Sequence, residues 1–235
     1  MLRPDFEPLG DQALLLRWGD SADIALNRQV HALARTLRLA APRWLIDCVP
    51  AYASLAVFFD ATALPGNDPI AAVREFLLAI LEQPESLADP AESRLVEIAV
   101  CYGGDFGPDL DEVADNCGLT AAQLVEKHSQ VEYLVAMLGF SPGFPYLLGL
   151  DPALASPRLA TPRTRVPAGS VGIGGTQTGI YPNEGPGGWR LLGRTPQTLF
   201  DARRDASPTL LLPGDRVRFV PIDAARYQSL SECQS

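Results

Sequence analysis

The residues of this chain best suited to chemistry are arginines set among glycines and prolines. In Pro162-Arg163-Thr164-Arg165-Val166-Pro167, two arginines stand two positions apart. In an extended strand such residues share a face. Two guanidinium forks on one face suit a carboxylate or a phosphate, because each offers coplanar paired N–H donors. The following stretch, Val166 to Pro182, holds five glycines in seventeen residues. Glycine in a strand marks a bulge, or a place where a ligand or another backbone comes close. Barrel corners that need glycine sterically are the competing account. Ser170, Thr176, Gln177 and Tyr181 supply neutral hydrogen-bonding groups here. Gly185 to Arg190 and Gly193-Arg194-Thr195-Pro196 add a rigid loop and two further arginines.

Other motifs are weaker. His128 ends an expected helix, where the helix dipole favours a cation. As a general base it would need a carboxylate or carbonyl on its other ring nitrogen, and a lone histidine is more often structural. Gly139-Phe140-Ser141-Pro142-Gly143 matches the G-x-S-x-G nucleophile elbow. Pro142 has no N–H to give an oxyanion hole, and both histidines, His31 and His128, lie upstream. A turn displaying Phe140, Phe144 and Tyr146 is the better reading.

These motifs sit in one unusual segment. Residues 139–196 hold 12 of the 20 glycines and 9 of the 21 prolines. They carry a net charge of +3 within a chain of 235 residues whose total is −9. The acidic remainder argues against a protein that tracks nucleic-acid phosphates. Lys127 is the only lysine, so no GxxxxGK[ST] loop exists to hold a triphosphate, and no GxGxxG occurs. Cys48, Cys101, Cys117 and Cys233 form no CxxC pair, and two histidines complete no zinc pattern. They read as reduced thiols. Two uncharged windows, Tyr133–Leu150 and Val166–Asn183, are broken by Pro and Gly and cannot be membrane helices. No apolar leader opens the chain. The expected location is the cytoplasm, with no membrane and no nucleic-acid partner.

The elements that must position these residues fall into two parts. Ala13–Trp18, Trp44–Val49 and Ser54–Asp60 read as strands. Ile24 to Leu39, capped by Asp20 or Ser21, and Pro69 to Leu81, capped by Asn67 or Asp68, read as amphipathic helices. Residues 1–90 therefore predict an α+β, ferredoxin-like unit, ending in a linker at Pro84–Pro90. Arg94–Val100 either completes that unit or opens the next. Asp109–Cys117 and Thr120–His128 read as a helical insert packed on a sheet. From Gly139 the helical period vanishes, and short strands between Gly/Pro turns predict a closed β-barrel or sandwich over 91–235.

Three runs carry a family likeness: GFSPGFPYLLGL (139–150), PRTRVPAGSVGIGGTQTGIYP (162–182) and GPGGWRLLGRTP (185–196). With DCVPAYASLAVFFD (47–60), they resemble the KipI/allophanate hydrolase subunit 1 family. Its members are carboxyltransferase subdomain C/D proteins of the type that serves as the B subunit of 5-oxoprolinase. The resemblance spans roughly residues 8–222. It implies a ferredoxin-like N-terminal domain and a cyclophilin-like C-terminal barrel. It also implies a subunit of an ATP-dependent 5-oxoprolinase, opening 5-oxo-L-proline to L-glutamate. The implied partners are an allophanate hydrolase subunit 2-like paralogue (the C subunit of 5-oxoprolinase) and a LamB/YcsF-type protein (its A subunit). ATP with magnesium would be used by the complex rather than held by a Walker loop on this chain. Relatives in that family also suggest a sensor-kinase inhibitor, or half of a biotin-dependent carboxyltransferase. On this likeness Arg163, Arg165 and Arg194 would bind an anion, Gln177 and Tyr181 would orient substrate, and His128 would be the acid/base. Gly143, Gly169, Gly172, Gly174 and Gly175 would form the backbone loop, with no metal. Asn183-Glu184 departs from the family pattern by placing an acid beside Gly185.

Overall fold

The structure is a computed structural model that describes residues 3–83, 93–204 and 207–233. The chain divides into two compact units, residues 1–92 and 93–235. The linker expected at Pro84–Pro90 lies outside the described residues.

The first unit is a four-stranded antiparallel sheet with two helices. Its strands are β1 (Asp5–Pro8), β2 (Ala13–Arg17), β3 (Leu45–Pro50) and β4 (Ser54–Phe59), in the order β1-β2-β4-β3. Helix α1 (Ile24–Ala40) is capped by Asp23, whose side chain accepts from the Leu26 amide, rather than by Asp20 or Ser21. Helix α2 (Pro69–Leu81) is capped by Asp68 with Pro69 in its first turn. Val30, Leu33 and Leu37 of α1 and Val73 and Leu77 of α2 are buried with Leu14, Leu16, Leu55, Val57 and Phe59 of the sheet.

One expectation is corrected here. A ferredoxin-like unit takes its fourth strand from the chain after the second helix. In this sheet the place beside β2 is filled by Asp5–Pro8, from before the first expected strand. Asp5–Pro8 is four residues long, mostly exposed and ends in proline, so it carries no strand signal of its own. Arg94–Val100 belongs to the second unit.

That unit is a closed seven-stranded barrel. It comprises β5 (Leu95–Tyr102), β6 (Glu132–Leu138), β7 (Pro145–Leu148), β9 (Ser170–Gly174), β10 (Gln177–Ile180), β12 (Arg190–Arg194) and β13 (Arg216–Ile222). The order is β10-β7-β6-β13-β5-β12-β9, and β9 closes onto β10. Closure leaves no edge strand unpaired. Only β13 and β5 run parallel. Asp215, just before β13, accepts from the Arg94 guanidinium and the Leu212 amide, tying the start of β13 to the residue that precedes β5. A separate ribbon pairs β8 (Arg163–Val166) with β11 (Gly185–Gly187). Pro167-Ala168-Gly169 separates β8 of this ribbon from β9 of the barrel. Helices α3 (Leu110–Asn116) and α4 (Ala121–Ser129) form the expected helical insert, and α4 opens with a capping box between Thr120 and Gln123. A final helix, α5 (Ala224–Glu232), follows β13. Among the described residues no helix is long and apolar enough to cross a membrane. All four cysteines are free thiols.

The barrel wall encloses one polar chain. His128, on α4, is fully buried and stacks on Phe219 at 4.7 Å. Its Nε2 lies 3.0 Å from Thr178 Oγ1, and its Nδ1 lies 2.9 Å from the Tyr102 hydroxyl. The Thr178 hydroxyl donates to the Gly172 carbonyl, so its oxygen must accept from His128. That fixes the proton on Nε2 and leaves Nδ1 to accept from Tyr102. Every member of this network is satisfied only with a neutral imidazole. Burial pushes the pKa of His128 down from 6.5 to about 3. A folded-state pKa below the unfolded value means that stability is complete above pH 6.5 and falls as pH drops toward 3. From this one residue we expect a loss of about 1.4 kcal/mol per pH unit below 6.5. Urea unfolding of the full chain at pH 7.5 and 5.5 checks this. His128→Gln, which does not titrate, should show the flatter profile; equal slopes would contradict a buried neutral imidazole.

Candidate functional site

The glycine-rich motifs meet on the outer wall of the barrel. Cross-strand partners in β9 and β10 share a face, so Gly174 and Gln177 lie on one side while Ile173 and Thr178 point to the interior. On that outer side lies the Trp189 indole. A Cβ at Gly174 would lie 2.6 Å from the Trp189 ring, and one at Gly179 would lie 3.0 Å from it. A Cβ at Gly172 would meet Trp189 Cβ at 3.4 Å. The three glycines form a flat seat that only hydrogen side chains leave open. Trp189 is 5% exposed and belongs to a small apolar cluster with Phe144, Tyr181, Val166 and Leu191. Phe144 meets it edge-on at 5.5 Å, and Tyr146 at 6.0 Å.

At the rim stands the turn between β6 and β7. Phe140 adopts a left-handed backbone with φ 68° and is 65% exposed. For a residue with a Cβ that conformation costs about 1–2 kcal/mol. Its ring rests near Phe144 at 5.4 Å and Tyr181 at 6.3 Å. Leu138 through Gly143 border a concavity of about 310 Å³.

The arginines expected to act together do not. The Arg163 Nη2 donates to Asp109 Oδ1 at 2.7 Å, while Arg165 Nε pairs with Glu184 at 2.8 Å. Glu184, the departure from the family pattern, thus pairs with one of the three arginines expected to bind an anion. Arg190 pairs with Glu112, and Arg194 Nε donates to the Ala168 carbonyl. Tyr181 is 3% exposed, with its hydroxyl facing Gly187 and the Trp189 backbone, and burial pushes its pKa up. His128 lies inside the barrel, away from solvent, so its geometry suits a structural neutral imidazole rather than proton exchange with substrate. The expected glycine loop is also largely occupied by the chain itself. A Cβ at Gly169 would lie 2.2 Å from the Thr195 carbonyl oxygen, and one at Gly143 would lie 2.8 Å from Phe200 Cβ. Gly175 alone of the five meets nothing and is held by its φ of 67°.

Sequence reasoning missed Asp109. It is 5% exposed and sits before α3 without a side-chain cap of its own. Its Oδ1 takes Arg163 and its Oδ2 accepts from the Leu191 amide at 2.6 Å. One carboxylate therefore fastens the outer ribbon and β12 together. An Asp before a helix reads as an N-cap, so nothing local in the sequence betrays this use.

Among the described residues the glycine-rich segments are packed largely by the chain itself. The glycine backbone that might wrap phosphates is filled by Trp189 and Thr195. Lys127 is paired with Asp151 at 3.0 Å. Among the described residues no group of three His, Cys, Asp or Glu could hold a metal ion. The residues present therefore do not fit a resident nucleotide of the Walker kind.

A closed barrel carrying this outer cluster, preceded by a compact α+β unit, has relatives of known class. The chain belongs to the carboxyltransferase domain, subdomain C and D, family, whose pattern matches residues 4–211. It is 43% identical over 236 residues to the B subunit of 5-oxoprolinase from Bacillus subtilis strain 168, covering 98% of each chain. It is 46% identical over 213 residues to the B subunit of 5-oxoprolinase from Escherichia coli O157:H7, covering 91% of this chain and 94% of that one. The crystal structure of TTHA0988 is similar, with a TM-score of 0.77 and 40% identity. That match covers 91% of this chain but only 40% of the longer one.

The two arginine pairs separate stability from binding. Arg163→Ala would strand the buried Asp109 carboxylate and should cost about 2–4 kcal/mol. Arg165→Ala removes an exposed pair and should cost under about 1 kcal/mol. Thermal or urea unfolding of both variants checks the order; equal effects would contradict the anchoring role of Asp109.

Proposed function

We propose that this chain is one subunit of an ATP-dependent 5-oxoprolinase, opening 5-oxo-L-proline to L-glutamate. One observation carries the reading: the likeness to the B subunits of two 5-oxoprolinases runs at 43–46% identity over nearly the full length of both chains. The same domain content is therefore compared, not one shared module. Ring opening adds water across the lactam C–N bond, with OH going to the carbonyl carbon and H to the nitrogen. The lactam is an amide, so its carbonyl resists attack until charge on its oxygen is stabilised or the oxygen is phosphorylated.

Among the described residues this chain brings a rigid aromatic wall and arginines, and its only lysine, Lys127, is paired with Asp151. ATP with magnesium, and the groups that handle it, are therefore assigned to partner chains. Those partners are an allophanate hydrolase subunit 2-like paralogue (the C subunit of 5-oxoprolinase) and a LamB/YcsF-type protein (its A subunit). A location in the cytoplasm, where ATP is available, accords with the free thiols. Co-expression of the three chains should yield a complex that releases glutamate from 5-oxoproline only with ATP. Omitting this chain should abolish release. No assembly with the subunit 2-like paralogue, or full turnover without this chain, would contradict the proposal.

A further inference from the structure

The segment 139–196 contains a fifth arginine, Arg158, which lies between the glycine-rich motifs rather than within one. Arg163, Arg165 and Arg190 each face a carboxylate, and Arg194 gives its Nε to a carbonyl. Among the described residues Arg158 has no acidic partner. It is exposed, and its guanidinium lies over the Trp189 ring, 5.8 Å from the centroid. A guanidinium over an aromatic face keeps its N–H donors at its edge, free to grip an anion in a bidentate way.

The backbone that carries Arg158 is fastened on both sides. Ser156 exchanges two hydrogen bonds with Gly175, at 2.7 and 3.1 Å, and the Leu159 amide donates to the Gly188 carbonyl at 2.7 Å. Pro157, between them, has its φ locked. The loop is therefore set before any ligand arrives, which lowers the ordering cost of binding. Gly175 is the hairpin glycine two residues from Gln177, and Gly188 precedes Trp189, so the fasteners join Arg158 to the glycine motifs. Its charge also reaches the Tyr146 and Tyr181 hydroxyls, opposing the upward pKa shift that burial imposes on both. Tyr146, half-buried, meets the same Trp189 ring at 6.0 Å, and the exposed Phe140 extends the aromatic cluster through Phe144 and Tyr181.

We infer that Arg158 and Trp189 form an anion site on the outer wall of the barrel, taking the carboxylate of a small molecule whose flat ring lies against the aromatic surface. On the function proposed above, which this inference deepens, that molecule is 5-oxo-L-proline. Arg158, rather than Arg163 or Arg165, is then the anion-binding residue of this chain.

The test compares wild type, Arg158→Gln and Arg158→Lys. Calorimetric titration of the full chain with 5-oxo-L-proline, and separately with inorganic phosphate, reads binding. Steady-state kinetics of the assembled complex reads KM against kcat. We expect Arg158→Gln to weaken 5-oxoproline binding and raise KM at least tenfold, with a smaller change in kcat and partial rescue by Arg158→Lys. Arg158-dependent binding of phosphate but not of 5-oxoproline would overturn the carboxylate assignment. Unchanged KM in an Arg158→Gln complex that turns over would overturn the site and leave the proposed function standing. Conversely, Arg158-dependent binding of 5-oxoproline by a complex that never releases glutamate would support the site and strike the proposed function.

Discussion

The seating of the Trp189 indole on Gly172, Gly174 and Gly179 is the contact on which the outer half of the barrel depends. Nothing larger than hydrogen fits beneath the ring, so the wall at β9 and β10 must be built from glycine there. With the indole in place, Phe144, Tyr146 and Tyr181 have a surface to pack against. The ribbon of β8 and β11 packs over the cluster through Val166, and Gly187 leaves room for the Tyr181 ring. Burying aromatic surface of this kind contributes about 25 cal/mol per Å² removed from water. It also leaves the top of the indole as a platform for Arg158.

On both sides of the barrel wall, buried polar groups are given partners that fix their direction. The chain from Tyr102 through His128 and Thr178 to the Gly172 carbonyl does this in the interior. It ends on one of the glycines that seat Trp189, so the interior network and the outer cluster share a strand. Asp109 does the same for the ribbon, taking Arg163 on one oxygen and the Leu191 amide on the other. Both networks are costly to break because each member would leave another unpaired in a low dielectric. Acidic side chains thereby pair three of the five arginines in the positive segment, Arg163, Arg165 and Arg190, while Arg194 takes a backbone carbonyl and Arg158 lies over the indole.

Much of the fold was legible because period and capping signals are local. The two N-terminal helices, the helical pair at 110–129 and the strand-rich barrel follow from apolar spacing, Asp68, Thr120 and the Gly/Pro turns. The edge strand Asp5–Pro8 was not, since it is short and exposed and is made by its neighbour β2. The site was legible as a place but not as a set of roles. Arg163 and Arg165 share a strand, yet their partners, Asp109 and Glu184, lie 54 and 19 residues away in sequence. Arg158 lacked a motif, and only the fold reveals that Ser156 and Leu159 are fastened to Gly175 and Gly188. Gly169, Gly172 and Gly174 lie against a backbone carbonyl or the indole, whereas Gly175 faces open space, a difference that spacing along a chain cannot show.

The central claim is that glycines seat Trp189 and so create the outer wall. It is tested most directly by Trp189 fluorescence in a chain whose other two tryptophans, Trp18 and Trp44, are replaced by Phe. In that background the emission should be that of a buried indole. Gly174→Ala places a methyl 2.6 Å from the ring and should shift the emission to the red, with a stability loss of about 1–3 kcal/mol. Gly175→Ala, next in sequence, meets no atom within 4 Å and should leave the emission where it was despite its strained backbone. Equal emission in both variants, or a shift confined to Gly175→Ala, would contradict the account.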